Sequence, residues 1–207
     1  GKGKADRHSP GALSEDESAQ GPILACRSRP LTDVRVKWLS NMAPLPMVKH
    51  DAVIGSVQRV GRDVVLLTVN LRPDQVFAFR AGQFAKLRFG KLPARSYSMA
   101  SQPGAQKLEF HVRVLPDGRV SQYVDNELRA GDPVEVRGPF GEAYWQATGR
   151  AHPVLMLAGG TGMAPILSVL DAALQGGQDP QGIHVYHGVR AEEDLYVGAK
   201  LRRRAQD

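Results

Sequence analysis

Alternation of apolar and polar residues dominates the chain between residues 52 and 136 and predicts short β-strands. The clearest strand is 107–114, where the apolar positions are Leu108, Phe110, Val112 and Val114. Segments 53–60 and 64–71 predict a hairpin around Gly61-Arg62, and 84–89 predicts another strand. Several short strands at close spacing favour an antiparallel β-barrel.

Other segments depart from this alternation. Val120, Val124 and Leu128 recur at helical spacing and predict a helix inside the β-rich region. After Gly149 the pattern predicts a buried strand, a glycine turn, a helix and a second strand, at 154–157, 159–162, 164–174 and 183–186. A strand, helix and strand in this order predict the start of a parallel sheet, roughly half of a nucleotide-binding domain. The fold class is therefore α/β overall, with an antiparallel β-barrel followed by a partial βαβ unit.

The first 50 residues carry weaker patterns. Residues 1–20 are polar and predict a loop that contains one short capped helix at 13–17. Residues 33–37 alternate as a strand does, and residues 39–50, which include two prolines, predict a linker.

Composition narrows the class of protein. The 207 residues include 22 Gly and 14 Pro, which indicate many turns, and no apolar run approaches the roughly 18 residues of a membrane span. The net charge of +6 is compatible with nucleic acid, a membrane surface or an acidic protein partner. Positive residues are scattered, apart from Arg202–Arg204, which predict a solvated helix face. Without a basic helix interleaved with aromatic residues, nucleic acid is not an expected partner, and without a visible signal peptide the cytoplasm is the expected compartment.

Three segments have residues suited to phosphate groups. A guanidinium at a strand end, as at Arg95, can pair bidentately with a phosphate, and Tyr97 projects to the same face, where it can cover a planar ring. Gly118–Ser121 open the predicted helix, where free N–H groups favour an anion. Gly159–Gly162 let the backbone approach a pyrophosphate. An ordinary exposed strand also explains the first segment, and a turn with a serine cap explains the second.

Taken together, these motifs resemble the ferredoxin–NADP reductase superfamily. The resemblance is carried by Arg-x-Tyr-Ser at 95–98, Gly-x-x-Ser at 118–121, Gly-Pro-Phe-Gly at 138–141, Gly-Gly-Thr-Gly-x-Ala-Pro at 159–165 and the stretch 187–195. It implies an FAD-binding β-barrel domain over 51–149 and the first part of an NAD(P)-binding domain over 150–207. The implied cofactors are FAD and either NADH or NADPH.

The N-terminal residues are similar to the end of a plant-type ferredoxin domain. The resemblance implies a remnant of that domain over 1–38, joined by the linker at 39–50. Cys26, the sole cysteine, stands where such domains have their fourth 2Fe–2S ligand, and the other three ligands would lie upstream of residue 1. Taken alone, Cys26 predicts a buried small apolar residue. The chain is thus expected to be cut at both ends, with the cluster present only in the intact parent.

The resemblance also implies roles for individual residues. Contacts to FAD are implied for Arg95, Ser96, Tyr97, Ser98, His111, Arg113, Gly118, Val120 and Ser121. Contacts to the nicotinamide nucleotide are implied for Gly159, Gly160, Thr161, Gly162 and Arg190. The catalytic group would be Tyr97 stacked on the isoalloxazine, Ser98 near flavin N5 and Thr161 beside the nicotinamide. A solvated polar strand face also explains His111 and Arg113.

The domain order implied by the resemblance is that of reductase components of ring-hydroxylating dioxygenases. Such a protein moves electrons from NADH or NADPH through FAD to a 2Fe–2S centre, and then to an acidic ferredoxin or an oxygenase component. Arg190 is suited to a 2′-phosphate, but Glu192, Glu193 and Asp194 favour NADH. Two alternatives stay open: a reductase of a monooxygenase or deoxysugar-dehydratase system, and a non-catalytic flavin- or nucleotide-binding module.

Overall fold

A computed structural model describes residues 4–7, 28–35, 43–146, 153–176 and 182–204. The chain divides into two compact units, Gly1–Ala43 and Pro44–Asp207. Within the described residues, no helix combines the length and the apolar character needed to cross a membrane.

The first unit contains a two-stranded antiparallel sheet of β1 (Ala5–Arg7) and β2 (Ser28–Pro30). The prediction of a loop over 1–20 is therefore wrong at β1, because its pairing partner lies too far along the chain to show in the local pattern. The strand predicted at 33–37 is wrong at Asp33 and Val34. Just before them, the Lys4 N–H donates to the Thr32 hydroxyl at 2.9 Å. This side-chain bond takes the place of a main-chain bond, so the pairing with the segment around β1 does not continue to Asp33 and Val34. The helix predicted at 13–17 and Cys26 lie outside the described residues.

The second unit begins with a six-stranded antiparallel sheet. Its strands are β3 (Val48–Arg59), β4 (Val64–Asn70), β5 (Phe84–Arg88), β6 (Arg95–Ser98), β7 (Lys107–Arg113) and β8 (Pro133–Phe140). They are hydrogen-bonded in the order β6-β5-β8-β3-β4-β7. The two edges meet just after β6, where the Ala100 N–H donates to the Glu109 carbonyl of β7 at 2.8 Å. The predicted antiparallel barrel is confirmed as a nearly closed one.

Pairing along β3 extends the predicted hairpin. The strand begins at Val48, inside the segment 39–50 predicted as a linker, because residues 48–53 pair with β8. The register of β3 against β4 shifts at Gly55. A Cβ at Gly55 would lie 2.7 Å from Thr68 Oγ1, so glycine allows the strands to come close at this bulge.

The core of the barrel follows the predicted apolar positions. Leu108, Phe110 and Val112 of β7 are fully buried. Helix α1 (Arg119–Asn126) adds Val120 and Val124, and Leu128 follows just after it, to the same core. The predicted helix with its four-residue spacing is confirmed, and it places the start of α1 beside the barrel wall.

The remaining described residues form the predicted βαβ unit. Strand β9 (Val154–Gly159) is parallel to β10 (Ile183–Gly188), and helix α2 (Met163–Gln175) connects them. A short helix, α3 (Gly198–Arg204), follows. The prediction of a solvated face at Arg202–Arg204 is wrong at Arg204, whose Nη2 donates to the buried Asp171 carboxylate at 2.7 Å. The longer helix α2 supplies this carboxylate, which no local pattern around residue 204 indicates.

Candidate functional site

A cavity of about 590 Å³ lies where the barrel meets the βαβ unit. Its walls come from β6, the end of β7, the turn and first residues of α1, and the start of α2. The three motifs that suit phosphate groups are separated by tens of residues in sequence, and the fold brings all three to this one space. The lining residues include Arg95–Ser98, His111, Arg113, Asp117–Ser121, Thr161 and Gly162.

Strand β6 contributes a cation and an aromatic ring. Arg95 is exposed, and its Nη1 donates to the neighbouring Ala94 carbonyl at 3.3 Å. Tyr97 is half-buried against the barrel core. Burial raises the pKa of its phenol, and nearby Arg95 partly offsets that rise. The wall therefore carries a charge suited to phosphate and, two residues away, a neutral planar ring.

The turn into α1 depends on a glycine. Gly118 is the N-cap residue of the helix, so the alternative of a serine cap is wrong. The Ser121 hydroxyl instead donates to the Gly118 carbonyl and accepts from the Leu115 N–H, both at 3.0 Å. A Cβ at Gly118 would lie 2.3 Å from Ser121 Oγ and 2.9 Å from Leu115 Cβ. The turn before α1 is therefore closely packed. The first-turn amides of α1 lie at the cavity wall, and free amides at a helix N-terminus favour an anion.

The glycine turn between β9 and α2 forms the opposite side. Gly160 has a φ of +50°, in the left-handed region that favours glycine. Its carbonyl accepts a hydrogen bond from His187 Nε2 at 2.9 Å. Gly159, Gly160 and Gly162 have no heavy atom within 4 Å of a Cβ position. The backbone here is open to close approach by a ligand, as the sequence predicts.

A cluster of polar side chains connects β7 to Tyr196, just before α3, and to Lys200 within α3. His111 is 5% exposed, so a solvated strand face does not account for it. Its Nδ1 lies 2.8 Å from the Tyr196 hydroxyl and its Nε2 lies 3.4 Å from Glu109 Oε1. Lys200 Nζ donates to the same carboxylate oxygen at 2.8 Å. Arg113, by contrast, is exposed, and its Nε donates to Asp63 Oδ2 at 3.1 Å.

The pKa values of this group follow from burial and pairing. The hydrogen bond from His111, with Lys200 beside it, lowers the pKa of Glu109 to about 2 against the effect of burial. Burial lowers the pKa of His111 and raises that of Tyr196. Near neutral pH the group therefore holds a carboxylate, a neutral imidazole and a neutral phenol.

The predicted site residues divide by where the structure places them. All of those implied for FAD line the cavity, on β6, on β7 or at the start of α1. Of those implied for the nicotinamide nucleotide, Thr161 and Gly162 line it, whereas Gly159, Gly160 and the exposed Arg190 lie outside its lining. The roles implied for these residues stay predictions.

Sequence reasoning missed Glu109, His187, Tyr196 and Lys200. The alternation of β7 places Glu109 on the same face as His111, which is the one local signal available. Nothing near Tyr196 or Lys200 indicates a partner that lies 85 or 91 residues earlier in the chain.

Two family models match the chain over the same regions. Residues 51–145 match the oxidoreductase FAD-binding domain, and residues 156–207 match the oxidoreductase NAD-binding domain. The chain belongs to the ferredoxin reductase family. The predicted family is confirmed, and so are FAD and a nicotinamide nucleotide as the cofactors of its domains.

Relatives in this family are similar over most of the chain. The reductase component of the naphthalene 1,2-dioxygenase system of Pseudomonas putida is 39% identical over 188 residues, which are 89% of this chain and 56% of the relative. The chain thus spans about half the length of this relative. The crystal structure of an Amycolatopsis cytochrome P450 reductase has a TM-score of 0.75 and 31% identity, and covers 99% of this chain and 63% of its own.

Phthalate dioxygenase reductase shares the fold, with a TM-score of 0.65 at 22% identity, over 74% of this chain and 47% of its own. Its structure is described as modular, for electron transfer from pyridine nucleotides to [2Fe-2S].

The residues of the cavity fit FAD, the cofactor of this family. A volume of about 590 Å³ lies in the range of cofactor sites. Arg95 and the amides at the start of α1 suit a pyrophosphate, and the half-buried ring of Tyr97 suits a flat aromatic system. The space beside Thr161 and Gly162 is left open by the glycine turn. One cavity therefore offers surfaces for a flavin and, beside it, for a second nucleotide.

Proposed function

We propose that this chain is the flavin- and nicotinamide-binding part of an electron-transfer reductase. It would oxidise NADH or NADPH and pass the electrons through FAD to a 2Fe–2S centre, and then to a ferredoxin or a ring-hydroxylating dioxygenase. The observation that carries the proposal is the single cavity lined by both the flavin-side motifs and the glycine turn. The names of the Pseudomonas putida relative and of phthalate dioxygenase reductase support the same direction of electron flow.

Each wall of the cavity has a distinct task in this proposal. Arg95 and the amides of Gly118–Ser121 would hold the FAD pyrophosphate, and Tyr97 and Ser98 would hold the isoalloxazine. Thr161 would hold the nicotinamide on the side of the glycine turn. When bound, FAD supplies the conversion of a two-electron hydride into single electrons. The protein contributes the alignment of the two cofactors.

NADH is the nucleotide that the charges favour. Arg190 is exposed, and the next acidic residues are Glu192, Glu193 and Asp194. Asp194 is already paired with Arg62, whose Nη2 donates to it at 2.6 Å. Glu193 Oε1 also lies 3.8 Å from Arg62 Nε, and the three carboxylates together disfavour the further negative charge of a 2′-phosphate beside Arg190.

The proposal is tested by loading the 207-residue chain with FAD and adding NADH or NADPH without oxygen. Hydride transfer bleaches the visible absorption of the oxidised flavin, and we expect NADH to do so faster than NADPH. A chain that retains FAD and is not bleached by either nucleotide would be a non-catalytic binding module instead.

An acidic ferredoxin is the proposed partner because the chain carries a net charge of +6. Attraction between opposite charges speeds encounter and is screened by salt. We expect reduction of an acidic ferredoxin by the intact parent under NADH to slow as salt rises from about 50 to about 300 mM. A stopped-flow series with a neutral dye as control acceptor measures this. If the rate of ferredoxin reduction depended on salt no more than the rate of dye reduction, the net charge of the chain would not steer the partner.

The 2Fe–2S part of the proposal rests on Cys26. A plant-type cluster needs four thiolates, and the 207 residues contain one. Cys26 as the fourth ligand in a longer protein stays a prediction.

A further inference from the structure

Four side chains connect the flavin-side strand β7 to residues 196–200 of the βαβ unit. Lys200 Nζ lies 2.8 Å from Glu109 Oε1, and the same oxygen lies 3.4 Å from His111 Nε2. On the other edge of the imidazole, His111 Nδ1 lies 2.8 Å from the Tyr196 hydroxyl. Of these four residues, His111 lines the cavity itself.

The direction of each hydrogen bond follows from the charge states. Glu109 is ionised at neutral pH because His111 and Lys200 lower its pKa to about 2, and a carboxylate only accepts. His111 Nε2 therefore carries the proton and donates. A neutral imidazole with Nε2 protonated has Nδ1 as an acceptor, so the Tyr196 hydroxyl donates to it. Lys200 and His111 therefore both donate hydrogen bonds to Glu109, and Tyr196 donates one to His111.

The ring of Tyr196 belongs to the other side of the interface. It packs against the buried Met163, Leu167 and Val197, and Met163 begins α2 directly after the glycine turn. The ring also meets His187 edge to face, with centroids 5.8 Å apart. His187 in turn donates to the Gly160 carbonyl. The Tyr196 ring also meets the His111 ring edge to face, with centroids 5.2 Å apart, a contact that phenylalanine would keep. Tyr196 therefore contacts the glycine-turn side through its ring, and strand β7 through both its ring and its hydroxyl.

We propose that Tyr196 is a positioning residue, which through its hydrogen bond to His111 holds the glycine turn that carries Thr161 in alignment with the flavin-side strand β7. This inference rests on the proposed function, since the alignment matters when a nicotinamide beside Thr161 must face a flavin beside Tyr97. Small losses of alignment slow a hydride transfer without abolishing either binding event.

The first test replaces Tyr196 by phenylalanine, which keeps the ring in its apolar contacts and removes the hydroxyl. In the FAD-loaded chain we expect the rate of flavin bleaching at saturating NADH to fall about tenfold, as for one lost hydrogen bond, with FAD affinity within about twofold of wild type. Tyr186→Phe is the matched control, because Tyr186 is 61% exposed on β10. Equal bleaching rates in wild type and Tyr196→Phe would overturn the inference.

A second readout does not need the cofactor. Nitrogen NMR of the histidines distinguishes the two neutral tautomers, and we expect His111 of the wild-type chain to hold its proton on Nε2, with Nδ1 hydrogen-bonded. In Tyr196→Phe the Nδ1 signal should shift to that of an unbonded nitrogen, and in Tyr186→Phe it should not. An unchanged His111 signal in Tyr196→Phe would overturn the inference, whether or not the flavin is bleached. Absence of bleaching in every variant, wild type included, would instead contradict the proposed function.

Discussion

Replacement of Arg95 by alanine is expected to weaken FAD binding about thirtyfold. Arg95 lies at the cavity wall, and its substitution would remove a charge-assisted hydrogen bond to the pyrophosphate, a loss of about 2 kcal/mol. The fold should be unaffected, since the side chain is exposed and its recorded bond is to the adjacent Ala94 carbonyl. Titration of the chain with FAD, followed by flavin fluorescence, measures the change.

A matched control for this substitution is Arg72→Ala. Arg72 is also exposed and also on the barrel, but it does not line the cavity. FAD affinity should be unchanged in this variant. If Arg95→Ala bound FAD as tightly as Arg72→Ala, the assignment of the pyrophosphate to Arg95 would be wrong.

The second large effect is expected at Gly118. An alanine there places a methyl group 2.3 Å from Ser121 Oγ and 2.9 Å from Leu115 Cβ, so the turn must open. Opening costs about 1–3 kcal/mol and breaks the two bonds that the Ser121 hydroxyl makes to the turn. Because the first amides of α1 move with the turn, we expect FAD affinity to fall by about tenfold to a hundredfold.

FAD titration and urea unfolding of the same variant separate loss of binding from loss of stability. Gly61→Ala is the control, since a Cβ at Gly61 would have the Glu193 carbonyl oxygen at 3.8 Å as its nearest neighbour. Wild-type affinity in Gly118→Ala would contradict the placement of the pyrophosphate at the start of α1.

The strands and helices could be predicted wherever the spacing of apolar residues follows the buried face of the element. Leu108, Phe110 and Val112 alternate because one face of β7 is in the core, and Val120, Val124 and Leu128 are four residues apart because α1 packs one face on that core. The glycine turn could be predicted because the positive φ of Gly160 favours glycine and the open backbone of the turn has no side chain over it. Both features therefore appear in the sequence as glycines.

The parts that sequence could not predict depend on partners distant in the chain. Strand β1 exists because Ala5–Arg7 pair with Ser28–Pro30, and neither segment has a strand-like pattern of its own. Polar alternation along β7 is equally consistent with a solvated and a buried face. The hydrogen bond from His111, followed by Lys200, lowers the pKa of Glu109, and the contacts of Tyr196 and Lys200 with these two side chains come from the βαβ unit.

The central claim is that a hydride passes from a nicotinamide to FAD held in the cavity beside Arg95 and Tyr97. It is tested most directly by single-turnover mixing of the FAD-loaded chain, without oxygen, with NADH that carries deuterium on one or the other face of C4. We predict that the flavin is bleached in both cases and that deuterium on one face alone slows the bleaching. A chain that binds FAD in an Arg95-dependent manner and is not bleached, or is bleached at one rate by both labelled forms, would contradict the claim.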